Sequence, residues 1–139
     1  MAAIKISVAL CTYNGARFLA EQLKSLSAQT RQPDELVVCD DGSCDKTMEI
    51  LEQFSKVASF PVRLTRNDSN LGVVANFRYA ISLCCGEFTA LSDQDDVWLP
   101  EKLKQAEDAL MKCETPEKVL YCSRLQYVSV AFPESPASL

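Results

Sequence analysis

Short apolar runs and helical patterns alternate along this chain, and that alternation leaves few folds open to it. Lys5–Leu10 (KISVAL), Glu35–Asp40 (ELVVCD), Val62–Thr65, Phe88–Ser92 and Val119–Leu125 (VLYCSRL) read as strands. Between them apolar residues recur at helical spacing. Phe18 or Leu19, Gln22-Leu23 and Leu26 place a first helix over about Arg17–Ala28, and Ile50, Leu51, Phe54 and Val57 mark a second. Val73, Val74, Phe77, Ala80, Ile81 and Cys84 form the expected apolar face of a third, and Leu99, Leu103, Ala106 and Leu110 that of a fourth. The breaks carry their own signals. Asn14-Gly15 and Gln32-Pro33-Asp34 are turns, Ser43 or Asp45 suits a helix cap, Gly86 suits a helix end, and Pro100 suits a first helical turn. The order β-α-β-α-β-α-β-α-β requires right-handed crossovers. It predicts a Rossmann-like α/β fold: a mostly parallel sheet with helices on both faces.

Composition narrows the function. With 139 residues, 47% of them apolar, the chain has material for one domain with a real core. A net charge of −5 and the lack of a basic run argue against nucleic acid as a partner. No apolar stretch of about 18 residues is present, so no membrane span is expected. Met1-Ala2-Ala3-Ile4-Lys5 leads straight into the first strand pattern and does not read as a signal peptide, which points to the cytoplasm. The seven cysteines form no CxxC pair and read as reduced thiols, with Cys11, Cys39, Cys84 and Cys122 expected to pack as small hydrophobes. The chain has no histidine, which excludes Ser-His and Cys-His catalytic pairs and histidine metal ligands.

The densest chemistry lies in Asp93-Gln94-Asp95-Asp96, three carboxylates in four residues between a strand and a helix. Carboxylates this close repel unless a cation lies between them, and Mg2+ or Mn2+ prefers such hard oxygen ligands. Ligands of open α/β sheets bind beyond the carboxyl ends of the strands. In a parallel sheet Thr12-Tyr13-Asn14, Asp40-Asp41 and Asp93–Asp96 all reach that edge. The chemistry then divides. Asp40 accepts a hydrogen bond from a base N–H, Thr12 bonds the same base, Tyr13 packs on it, Asp93 takes ribose hydroxyls, and Asp95 takes the cation that holds a diphosphate. A blander reading stands beside each. Asp40-Asp41 and Tyr13-Asn14 can be turn formers, Asn76 a solvated helix residue, and Asp96 and Trp98 braces for the last helix.

These residues bear a resemblance. Ser7-Val8-Ala9-Leu10-Cys11-Thr12-Tyr13-Asn14, Asp40-Asp41-Gly42-Ser43-Cys44-Asp45-Lys46-Thr47 (DDGSxDxT), Asn70-Leu71-Gly72 with Asn76, and Ser92-Asp93-Gln94-Asp95-Asp96-Val97-Trp98 stand in the order found in glycosyltransferase family 2. From about Ile4 to Val128 the chain resembles the N-terminal, nucleotide-binding half of that family, which has the GT-A fold. The SDQDDxW wording is similar to its rhamnosyltransferase-like subset. The resemblance implies a UDP- or dTDP-sugar donor held with Mg2+ or Mn2+, and inverting transfer to a hydroxyl of a saccharide or lipid-linked acceptor, as in cell-surface polysaccharide biosynthesis. The donor set it implies is Thr12, Tyr13, Asn14, Asp40, Asp41, Asn76 and Asp93, with Asp95 and Asp93 on the metal through the DxD motif.

The family carries its catalytic base and acceptor wall in a second half. No residue of this sequence stands out as that base, so residues 1–128 are expected to form the nucleotide-sugar-binding half, and 129–139 an irregular tail. On that reading the chain alone transfers sugar poorly, and two copies associate through the edge that a second half would cover. Three other classes compete. One is a non-catalytic nucleotide-binding fragment. Another is a Mg2+-dependent nucleotidyltransferase, which should show a Gly-rich basic loop where this chain has Thr12-Tyr13-Asn14-Gly15-Ala16-Arg17. The third is a receiver-like domain, which needs a lysine near the end of its last strand.

Overall fold

The computed structural model describes residues 4–113 and 119–127. Four strands alternate with four helices: β1 (Ile6–Thr12), α1 (Ala16–Ser27), β2 (Glu35–Asp40), α2 (Thr47–Val57), β3 (Val62–Arg66), α3 (Val73–Leu83), β4 (Phe88–Asp93) and α4 (Lys102–Met111). All pairings are parallel and the strand order is β3-β2-β1-β4. This is the expected Rossmann-like α/β sheet.

Side chains of a strand alternate between faces, and here the two faces differ in size. Ile6, Val8 and Leu10 of β1 and Leu36 and Val38 of β2 join the main core with Leu19, Leu23 and Leu26 of α1, Leu51 of α2, Leu103 of α4 and Trp98. On the other face Ala9, Cys11 and Cys39 pack against Ala80 of α3, with Phe77, Leu83 and Cys84 around them. Those three residues are small, so α3 lies close against the sheet. The apolar stripe expected of α3 is correspondingly wrong in part. Val73 and Val74 are 71% and 75% exposed, while Ala80 and the polar Asn76 are buried.

Two further expectations fail. Among the described residues no fifth strand forms, and 119–127 has no regular structure, with Leu120 and Tyr127 exposed. The apolar run VLYCSRL has strand propensity, but propensity yields a strand only where a ladder takes up the backbone. The proposed tail, 129–139, lies outside the described residues.

Gly86 does not end α3 in a left-handed cap. That helix stops at Leu83, and Cys84 is already extended at φ −69°, ψ 139°. Gly86 is instead pressed against β1. Its N–H donates to Ser7 Oγ at 2.7 Å, and a Cβ there would lie 2.7 Å from Ser7 N and 2.9 Å from Lys5 O. Backbone cannot swing aside as a side chain can. Gly86→Ala is therefore expected to cost about 1–3 kcal/mol, read as a lower urea midpoint with unchanged m-value.

No helix among the described residues is long and apolar enough to cross a membrane.

Candidate functional site

The strands run further than the apolar pattern showed. β1 continues through Thr12 and β4 through Asp93, so that Thr12 pairs with Asp40 and Cys11 with Asp93 at the carboxyl edge. The three polar clusters do converge there. They line a cleft of about 270 Å3 that includes Thr12, Tyr13, Asp41, Asn76, Asp93, Gln94 and Asp95. An adjoining groove of about 550 Å3 shares Tyr13, Asp41 and Asn70 and adds Gly42, Arg66, Asn67, Asp68 and Ser69. Asn14 and Asp40 line neither.

Asp40 is the clearest correction. Its side chain is fully buried, and its oxygens accept from Thr12 Oγ1 (2.8 Å), Ser43 Oγ (2.5 Å), Ser43 N–H (2.8 Å) and Gly42 N–H (3.2 Å). Four donors use the lone pairs a carboxylate has, which leaves none for a base. Thr12 is likewise buried, with its hydroxyl committed to Asp40. Asp40 shapes the turn that follows β2, and the turn-forming reading is the correct one for it.

The rest of the DDGSxDxT segment works the same way. Asn14, in the left-handed region at φ 47°, donates its N–H to Ser43 Oγ and accepts from Cys44 N–H, both at 2.8 Å. Gly15 N–H donates to Thr47 Oγ1 (2.9 Å) and Ala16 N–H to Asp45 Oδ2 (3.1 Å). The otherwise unpaired N–H groups at the start of α1 are thus taken by the second loop. Asp45 also accepts from the hydroxyl and N–H of Thr47, the first residue of α2, which holds its carboxyl below the usual range.

Asp41 is the member of the segment that reaches the cleft. Partial desolvation pushes its pKa upward, but hydrogen bonds from Leu71 N–H (2.7 Å), Asn67 Nδ2 (2.8 Å) and Gly72 N–H (2.9 Å) outweigh it and hold the carboxyl ionised. Oδ1 takes two of these bonds and Oδ2 one, so Oδ2 keeps an acceptor position for a ligand. Asn76 is not solvated. It is 2% exposed, donates to the Cys39 carbonyl (2.9 Å) and accepts from Asn67 (2.9 Å), fastening α3 and the 67–72 loop to β2.

The acidic turn is supported from behind by α1. Buried Gln22 donates to Ser92, just before Asp93. Ser25 Oγ accepts from Trp98 N–H (3.0 Å), and Gln29 donates to the Leu99 carbonyl (2.8 Å) while accepting from Leu103 N–H (3.1 Å). Sequence reasoning missed this polar chain, although Gln22, Ser25 and Gln29 recur at the helical spacing of the leucines beside them. Trp98 is buried as a brace for the turn and the last helix, as expected.

Asp93 has its pKa raised, first by desolvation and then by the neighbouring charges of Asp96 and Asp95. Mutual repulsion of this kind marks a place where a cation is favoured. Among the described residues no set of three or more His, Cys, Asp or Glu side chains forms a closed metal cage. Two carboxylates on an open edge fit a hard divalent ion that takes its remaining ligands from water and phosphate.

All seven cysteines are free thiols. Cys11 and Cys39 are buried as expected, Cys84 is half-buried, and Cys122 is exposed, contrary to expectation. Burial, reinforced by Cys39, Asp93 and Asp41, pushes the Cys11 thiol up to about 12. Cys11 therefore lines the cleft as a neutral thiol.

The comparisons with known proteins follow this geometry. The model of glycosyl transferase family 2 matches residues 7–137. A putative glycosyltransferase, EpsE of Bacillus subtilis, is 34% identical over 101 residues, which are 73% of this chain and 36% of that protein. The structure of S. aureus TarS in complex with UDP-GlcNAc superposes with a TM-score of 0.72 at 31% identity, over 78% of this chain and 32% of that one. A Pyrobaculum calidifontis mannosyltransferase, solved with GDP-Man and Mn2+, has the same fold, with a TM-score of 0.73 at 23% identity over 79% of this chain and 33% of that one. The chain thus spans about a third of the length of the relatives it matches. With the family model extending over nearly the whole sequence, and with the parallel sheet and acidic edge in place, this chain belongs to glycosyl transferase family 2.

Proposed function

We propose that the cleft binds a nucleoside diphosphate sugar together with a divalent cation and presents the sugar for inverting transfer to an acceptor hydroxyl. The observation that carries this reading is the make-up of the cleft. An aromatic ring and one open carboxylate oxygen, from Tyr13 and Asp41, line it together with the carboxylates Asp93 and Asp95. The first pair suits a base with an N–H donor, and uracil and thymine both offer one at N3. Asp41 replaces Asp40 as the base acceptor, because it has a lone pair left. Asp93 and Asp95 would hold Mg2+ or Mn2+. When bound, that ion neutralises charge developing on a departing diphosphate. The UDP-GlcNAc complex of TarS supports the donor class by likeness.

Among the described residues the carboxylates lining the cleft are Asp41, Asp93 and Asp95, and each has work on the donor. We therefore expect this chain alone to bind donor while lacking the roughly 10²–10⁴-fold contribution of a general base. A saccharide or lipid-linked acceptor in the cytoplasm, in cell-surface polysaccharide assembly, completes the proposal. Calorimetric titration of UDP, dTDP and GDP, each with and without Mn2+, tests the donor site. Binding strengthened by Mn2+ is expected for UDP or dTDP. A folded sample that binds none of the three overturns the reading.

A further inference from the structure

We propose that Gln94 is a positioning residue that ties the acidic turn of the donor cleft to the Tyr13 loop. The proposal rests on the donor reading above and adds a residue to it. The ladder between β1 and β4 ends at the pair Cys11 and Asp93. One residue beyond it, the Gln94 side chain takes over the role of backbone. Its Oε1 accepts from Tyr13 N–H at 2.8 Å and its Nε2 donates to the Tyr13 carbonyl at 3.0 Å. A primary carboxamide meeting a peptide through both groups satisfies the Tyr13 N–H and C=O just beyond the end of the parallel ladder. Gln94 lies between Asp93 and Asp95, and Tyr13, 49% exposed, lines the same cleft. The paired contact therefore ties the acidic turn to the Tyr13 loop, so that cation and base are met at one fixed distance.

Gly15 makes room for this pairing. A Cβ at that position would lie 2.1 Å from Gln94 Oε1 and 2.4 Å from its Cδ. The backbone there, φ −100° and ψ 10°, is open to other residues, so what glycine supplies is room for the Gln94 carboxamide. Any side chain at 15 evicts the carboxamide. Nor does another residue at 94 replace it. Glutamate cannot donate, asparagine is one methylene short, and methionine fills the space with neither group.

The test uses Gln94→Met, Gly15→Ala and the double variant, with two readouts. The first is hydrogen exchange of the Tyr13 amide in the free protein. The second is the affinity for UDP and for GDP, each with and without Mn2+. Both single variants are expected to lose roughly fivefold of Tyr13 protection, the worth of one hydrogen bond. Both should weaken Mn2+-dependent binding by roughly 10- to 100-fold, the usual cost of losing a group that orients a metal ligand, with metal-free affinity within about twofold. The double variant should be no worse than the weaker single, because both act through one contact.

Unchanged Tyr13 exchange in Gln94→Met overturns the pairing. Equal losses with and without Mn2+, or additive losses in the double variant, overturn the positioning role. If the parent chain binds neither nucleotide, the donor reading itself falls and takes the positioning role with it. The exchange measurement then still decides the pairing.

Discussion

Asp95→Asn is expected to remove most of the gain that Mn2+ gives to nucleoside diphosphate binding, by roughly 100-fold, and to leave metal-free binding unchanged. Asp95 is exposed at the tip of the acidic turn, so the substitution disturbs little of the fold. Amide for carboxylate keeps shape and volume and removes the charge, which isolates the cation's share of the affinity. Asp96→Asn is the control. Asp96 does not line the cleft, and its N–H closes the turn onto the Asp93 carbonyl at 3.3 Å. That variant should retain the Mn2+ gain. Titration calorimetry of UDP in the presence and absence of Mn2+ distinguishes the two. An equal loss of affinity in both buffers for Asp95→Asn would show that Asp95 does not hold the metal.

The second large effect falls on stability. Asp40→Asn places an NH2 group where one carboxylate oxygen accepts, and its two nearest donors there are the N–H groups of Gly42 and Ser43. Rotating the amide merely moves the clash to the hydroxyls of Thr12 and Ser43, which can turn but then lose their acceptor. In a fully buried site, water cannot make good the loss. We expect about 3 kcal/mol of destabilisation, equivalent to a fall of about 10 °C in Tm for a chain of this size. Asp41→Asn should behave differently. It keeps an oxygen for Asn67 and Leu71, costs less stability, and weakens nucleotide binding with or without metal. Thermal melts and titrations on the two variants separate the turn former from the ligand. Asp40→Asn that melts like the parent but no longer binds UDP would reverse their roles.

The architecture was legible in the sequence because its signal is periodic. Strand and helix repeats survive local exceptions, and the carboxyl edge follows from parallel order alone. Which carboxylate faces the cleft was not legible. Asp40 and Asp41 are adjacent, and successive side chains at a strand end point opposite ways. The cleft-facing member follows from register, and from the donors Gly42, Ser43 and Thr12 that absorb Asp40. Asn76 misled for a related reason. On a helix whose sheet partners are alanine and cysteine, a polar side chain can be buried if it finds a carbonyl, and Cys39 supplies one. The strand expected at Val119–Leu125 failed because apolar content records propensity and says nothing of an available partner. Gln94 drew no notice between two aspartates, since its role depends on Tyr13, 81 positions earlier.

The polar chain from α1 has a consequence for the order in which this chain folds. Gln22 to Ser92, Ser25 to Trp98, and Gln29 to Leu99 and Leu103 span separations of 70 to 74 residues. Each contact closes a loop through most of the sheet, and the entropy of that closure is met before any contact returns it. The β1-α1-β2 unit can collapse on local contacts, whereas the acidic turn has no support until β4 has inserted and Trp98 has docked on α1. The acidic edge is therefore expected to be a late product of folding. A nascent chain emerging in order is expected to acquire a core well before that edge is in place.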